Sequence, residues 1–259
     1  FAGCKAAPTN TAGNKTDVVS IKSADDLAGK KIGVQEGTTG DLYVSDTANV
    51  AGAQVSRFKK GIDAAQDLKN GKLDAVVIDS EPAKKIVEQM SGLVILEKPL
   101  TVEEYAIAVA KGNTELLNLI DSTLDELTAN GRIAAIKNAF VPAEGEKIAL
   151  TPSAYAKKDG LANLVMGTNA EFEPFEYKQG EEIVGYDVEI AKEIALKAGK
   201  NLKIEDMAFD SLIAALKSGK VDMIVAGMSV TDERKVEVDF SKPYFSASQV
   251  IIVRAESAK

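Results

Sequence analysis

Residues 221–244 read V-D-M-I-V-A-G-M-S-V-T-D-E-R-K-V-E-V-D-F-S-K-P-Y, and their order decides the fold. Residues 221–226 form an apolar run of strand length with β-branched side chains, the pattern of a buried strand. Gly227, Met228 and Ser229 follow, small or flexible residues beside which a ligand can approach the backbone. Thr231, Asp232 and Glu233 then mark a helix start, with a hydroxyl N-cap and acids in the first turn. Arg234 sits just inside that start. Its guanidinium and the helix N-terminus together suit one small anion, and a carboxylate fits both. On residue type alone, Ser229 and Thr231 also read as caps, and Arg234 as a solvated charge.

The same unit occurs earlier. L-K-N-G-K-L-D-A-V-V (68–77) mirrors L-K-S-G-K-V-D-M-I-V (216–225), each a helix end, a glycine stop and a buried strand. Ligands of α/β sheets gather at the carboxyl ends of strands. Two such ends in two similar lobes face each other across one cleft, which makes Asp79 the counterpart of the Ser229 region. Asp79 reads equally as the N-cap of a helix over 81–90. The stretch E-G-T-T-G (36–40), between a strand at 31–35 and a helix from Asp41, is a further strand–hydroxyl–helix pattern. By itself it is as much a cap and turn as an anion site.

At 259 residues, with 45% hydrophobic and 27% charged residues, the chain has room for two lobes with separate cores. A net charge of −8 argues against nucleic acid, since no basic stripe is available for phosphates. The absence of histidine and the single cysteine remove His-based acid–base catalysis, His-containing triads and the usual zinc sites. No cofactor or metal is expected. No apolar run approaches the ~20 residues that span a bilayer.

Taken together, G-M-S-V-T-D-E-R-K and V-D-F-S-K-P-Y resemble the ligand-carboxylate segment of the bacterial polar amino-acid-binding proteins. These are extracytoplasmic solute-binding components of ABC importers. The resemblance extends to L-V-M-G-T-N-A-E-F-E-P-F-E-Y (164–177), I-V-G-Y-D-V-E-I-A (183–191), K-I-G-V-Q-E-G-T-T-G (31–40) and L-D-A-V-V-I-D (73–79). It implies an α/β fold of two similar Rossmann-like lobes with a ligand cleft between them, the type II periplasmic-binding architecture. It also implies a non-catalytic function, binding a free polar amino acid such as glutamine or arginine and delivering it to an ABC permease. Arg234 would hold the α-carboxylate, helped by Ser229, Thr38 and Thr39. Asp79 and the carbonyl of Gly227 would hold the α-ammonium. Asn169, Glu171, Phe172 and Phe209 would contact the ligand side chain, with the two rings sandwiching it. The neutral Asn169 favours an amide-bearing ligand such as glutamine, whereas Glu171 could supply a charge for a cationic one. The alternative is an enzyme resembling the cyclohexadienyl dehydratases, with Asp79 or Glu171 as general acid.

The order of the pieces departs from the family and reads as circularly permuted. The expected division is a flexible tether over 1–19, lobe 2 over 20–107, the C-terminal helices of lobe 1 over 108–140, a linker over 141–163 and the main part of lobe 1 with a hinge strand over 164–259. Cys4, in F-A-G-C-K, resembles the end of a lipoprotein signal and is the expected lipid anchor. A monomer outside the cytoplasm, in the periplasm or on the outer face of the cell membrane, is expected.

Overall fold

Alternation of strand and helix continues along the whole computed structural model, which describes residues 19–143 and 148–259. Lobe 2 contributes β1 (Lys31–Gln35), α1 (Thr39–Ser45), β2 (Gln54–Phe58), α2 (Gly61–Lys69), β3 (Ala75–Asp79), α3 (Ser80–Gln89) and β4 (Leu93–Ile95). The chain then crosses to lobe 1 with β5 (Glu103–Ala110), α4 (Thr114–Ala129), α5 (Arg132–Phe140) and β6 (Asn163–Thr168). A hairpin follows, made by β7 (Glu171–Phe172), β8 (Glu176–Gln179) and β9 (Glu182–Val184). Next come α6 (Tyr186–Ala198), β10 (Asn201–Asp206), α7 (Leu212–Lys217), β11 (Met223–Ile224), α8 (Asp232–Glu237) and β12 (Val238–Ala247). The chain finally returns to lobe 2 as β13 (Gln249–Arg254).

Among the described residues the two main sheets have one topology. The orders are β2-β1-β3-β13-β4 in lobe 2 and β10-β6-β11-β5-β12 in lobe 1. In each, three parallel strands meet an antiparallel fourth strand that arrives straight after the chain has crossed from the other lobe. The expected lobe boundary at 107 therefore falls inside β5, all of which pairs in lobe 1. Conversely, β13 lies in the interior of the lobe 2 sheet, between β3 and β4.

Period-2 side-chain alternation explains why both sheets are covered on both faces. Ala75, Val77, Ile251 and Val253 join one core of lobe 2, whereas Val76, Ile78, Val250 and Ile252 join the other. In lobe 1, Tyr105, Ile107 and Val109 face the core under α4 and α6, and Ala108 faces the core under α7.

The repeat seen in the sequence is repeated in the geometry. Gly71 and Gly219 take left-handed φ values of 77° and 75° just past α2 and α7. Each closes a Schellman motif, with Lys72 N–H donating to the Asp67 carbonyl and Lys220 N–H to that of Ala215. Three residues past each glycine an aspartate clamps the neighbouring strand. Asp74 accepts from Lys31 N–H at 2.9 Å, and Asp222 from Val165 N–H at 2.7 Å.

Of the expected tether, residues 1–18, Cys4 among them, lie outside the described residues. The expected linker is anchored to lobe 1 where it is described. Tyr155 Oη accepts from Leu202 N–H at 2.7 Å, and Asn201 Nδ2 donates to the Lys158 carbonyl at 2.8 Å.

Candidate functional site

The carboxyl ends of the parallel strands in the two sheets point at each other, and the side chains they carry converge. Gln35 ends β1 and Asp79 ends β3; Asn169 follows β6, and Gly227 and Ser229 follow β11. One cavity is lined by Gln35, Thr38, Thr39 and Asp79 of lobe 2 and by Asn169, Phe172, Glu176, Phe209, Gly227, Ser229 and Arg234 of lobe 1. Nine of the ten expected ligand-contact residues are thus brought together. Glu171 is not.

The register of the hairpin separates the two glutamates. Phe172 pairs with Glu176 and Glu171 pairs with Tyr177. Cross-strand partners share a face of the sheet, so Glu176 follows Phe172 into the cavity. Glu171 points with Tyr177 to a neighbouring groove and binds Lys60 Nζ at 2.8 Å.

Arg234 is held from both sides of the cleft. Thr231 caps α8, its hydroxyl accepting from Arg234 N–H at 3.2 Å. The guanidinium lies 5.5 Å from the centroid of the Phe209 ring. Its Nη1 donates to the Ser229 carbonyl at 2.6 Å and its Nη2 to the Gly37 carbonyl, in lobe 2, at 3.0 Å. Burial lowers its pKa, opposed by Asp79, Glu103 and Glu233. Arginine remains a cation at neutral pH regardless.

Asp79 is buried at the N-cap of α3, but its side chain makes no capping bond. Its Oδ1 instead accepts from Tyr105 Oη at 2.5 Å, a contact across the lobes. Burial and then the charge of Glu103 push its pKa up to about 7, against the hydrogen bonds of Tyr105 and Gln249.

Glu176 and Asp187 form a buried acid pair. Among the described residues, no group outside the pair donates to either Glu176 oxygen or to Asp187 Oδ1. Asp187 Oδ2 accepts from Gly227 N–H at 2.7 Å and from Tyr244 Oη at 2.8 Å. Burial, followed by the neighbouring Asp187, raises the Glu176 pKa well above the usual carboxylate range. Burial raises Asp187 to about 6, moderated by its bonds to Glu176, Gly227 and Tyr244. The physical cause is plain: two acids in a dry site cannot both ionise without a cation, so one proton stays between them.

Asn169 lines the cavity, yet both ends of its amide are already engaged. Its Nδ2 donates to the Met207 carbonyl at 2.9 Å, and its Oδ1 accepts from Gln35 Nε2 at 2.8 Å. Gly227 is required where it stands. It has φ 53°, and a Cβ there would lie 2.7 Å from the Phe172 ring. Gln35, Glu103, Tyr105 and Glu176 were missed by the residue-type reading. Gln35 had a signal, as the last residue of the strand ahead of E-G-T-T-G, and Glu176 lies within the quoted stretch 164–177.

The paired sheets and the cleft between them define a two-lobed α/β protein of the periplasmic-binding type. Residues 164–259 match the bacterial extracellular solute-binding proteins, family 3, and over that stretch the chain is similar to bacterial polar amino-acid solute-binding proteins. It is 50% identical over 100 residues to the arginine-binding extracellular protein ArtP of Bacillus subtilis (strain 168), covering 39% of each chain. It is 44% identical over 89 residues to a probable histidine-binding protein of Campylobacter jejuni, covering 34% of this chain and 35% of that one. Among solved structures, the arginine-bound form of domain 1 from TmArgBP is 46% identical, with 37% of this chain and 82% of that one covered and a TM-score of 0.33. The match thus spans well under half the length of these curated relatives. Among the described residues, no helix is long and apolar enough to cross a membrane.

Proposed function

We propose that the chain binds a free amino acid with a cationic side chain, arginine foremost, between its lobes and delivers it outside the cytoplasm to an ABC permease. The observation that carries this reading is the set of three ionisable groups on one cavity: Arg234, Asp79 and Glu176, the last with no partner among the described residues except its fellow acid Asp187. A zwitterion needs one cation and one anion, and a cationic side chain needs a second acid. An unpaired buried charge costs several kcal/mol, so the count of charges is a strict filter. Arg234 takes the α-carboxylate and Asp79, with the Gly227 carbonyl, the α-ammonium. The side-chain cation takes the place of the proton shared by Glu176 and Asp187, which is released to solvent, while Phe172 and Phe209 flank its stem. Asn169 argues less for glutamine, because Met207 and Gln35 already take one of its two N–H groups and one of its two oxygen lone pairs. Relatives named for arginine and histidine agree with a cationic ligand.

Entry requires the lobes to part, since Gln35–Asn169, Arg234–Gly37 and Asp79–Tyr105 bridge them directly. Hinge motion at the two crossovers, 96–102 and Ser248, would open the cleft. We also read the segment order as a circular permutation of the family order, because the family match begins at 164 and the stretches 31–40 and 73–79, which resemble other parts of the family, precede it.

Isothermal titration against the twenty amino acids tests the ligand. Arginine should bind more tightly than glutamine. Glu176→Gln should weaken arginine by about a hundredfold, the loss of a buried charged hydrogen bond, and leave glutamine within about threefold. Glutamine as the preferred ligand of the parent would overturn the reading.

A further inference from the structure

We propose that Glu103 is a positioning residue that clasps the two lobes and competes with the ligand's α-carboxylate for two hydroxyl protons. Its Oε2 accepts from Thr39 Oγ1 of lobe 2 at 2.7 Å and from Ser229 Oγ of lobe 1 at 2.6 Å. Gln249 Nε2 adds a longer bond to the same oxygen at 3.4 Å, and Thr101 Oγ1 donates to Oε1 at 2.8 Å. Thr39 and Ser229 line the ligand cavity on one side, and a groove on their other side is lined by both of them together with Glu103. Glu103 is absent from the cavity lining, so it acts through the hydroxyls.

A hydroxyl has one proton to donate. With Thr39 and Ser229 donating to Glu103, neither hydroxyl has a proton left for the cavity, and Thr39 Oγ1 also accepts from Gln249 Nε2 at 3.0 Å; what each can still offer a ligand is a lone pair, which suits an ammonium and not a carboxylate. A ligand carboxylate recruits either hydroxyl only by taking its proton from Glu103, and it brings a second negative charge close to the first. Position explains why this residue can do so. Glu103 is the first residue of β5, just past the crossover between lobes, and it pairs with Ala247 one residue before the second crossover. It therefore touches both lobes at the hinge, where a small change in bonding moves the whole cleft.

This inference rests on the arginine reading for its ligands, and the test keeps the two apart. Arginine and agmatine, which lacks only the α-carboxylate, are titrated into the parent and into Glu103→Gln. Effects on folding or closure act on both ligands alike, so the ratio of their Kd values isolates the carboxylate end. The variant should raise the preference for arginine over agmatine about tenfold, one charge-assisted hydrogen bond's worth. Glu103→Ala should change the ratio in the same direction. A ratio unchanged within about twofold in both variants overturns the competition. Small-angle scattering on the ligand-free proteins needs no ligand identity: loss of the clasp should enlarge the radius of gyration of both variants over the parent. If the parent binds neither arginine nor agmatine, the arginine reading fails, and the scattering comparison alone decides for or against Glu103.

Discussion

Asp79 is a buried acid whose hydrogen-bond partner is a tyrosine hydroxyl instead of a cation. Its folded pKa, about 7, stands above the ordinary value of 3.8. The sign follows from linkage. Between those two values the unfolded chain is ionised while the folded protein keeps the proton, so the contribution to stability is full below about 3.8 and is lost as pH rises through about 7. Roughly three units at about 1.4 kcal/mol each amount to about 4 kcal/mol. For a chain of this length that corresponds to about 10 °C in Tm. Asp79→Asn removes this titration and leaves that of Asp187 in place. The Tm of the parent minus that of Asp79→Asn should therefore fall by about 10 °C between pH 4 and pH 7.5, measured without ligand by calorimetry. A flat difference would show that the folded Asp79 is already ionised at pH 4. Arginine should reverse the trend near neutrality, because its ammonium replaces the proton.

At the scale of elements, the turn between β11 and α8 does three things in three residues. Gly227 N–H fixes the acid pair through Asp187, Met228 pairs with β5 through Ala106 N–H, and the Ser229 carbonyl holds Arg234. The left-handed φ of Gly227 and its 2.7 Å approach to the Phe172 ring leave no room for a side chain. Gly227→Ala should drive Phe172 into the ligand space and strain the turn by about 1 kcal/mol or more. Arginine affinity should drop by at least about tenfold while the circular dichroism spectrum is retained. Affinity equal to the parent's would show that the turn relaxes freely and does not shape the cavity.

At the scale of the molecule, each sheet is completed by a strand that crosses from the other lobe. Only Ser248 separates β12, in lobe 1, from β13, inside the sheet of lobe 2. Among the described residues, both sheets are thus built from strands of one chain. Size-exclusion chromatography with light scattering should report one particle of 27.4 kDa, with one arginine bound per chain. A stable dimer with ligand sites shared between chains would instead establish that the halves exchange. This measurement also tests the permuted order, since a joined and self-sufficient pair of lobes is what that order requires.

The sequence by itself determined the layered α/β lobes, because apolar runs of strand length, glycine stops and the repeated L-K-x-G-K unit are local signals with local causes. It also singled out Asp79, at the end of β3, and Arg234, in the first turn of α8, as one acid and one base that line the same cavity. Only the tertiary structure decided which glutamate enters the cavity. Glu171 and Glu176 stand five positions apart in one stretch, and nothing in their neighbours ranks them. The register that pairs Phe172 with Glu176 turns one inward, while Glu171 meets Lys60 from the other lobe. Glu103 was hidden for the same reason. Its partners Thr39 and Ser229 lie 64 and 126 residues away, and a hydrogen bond that closes so long a loop leaves no trace in local pattern.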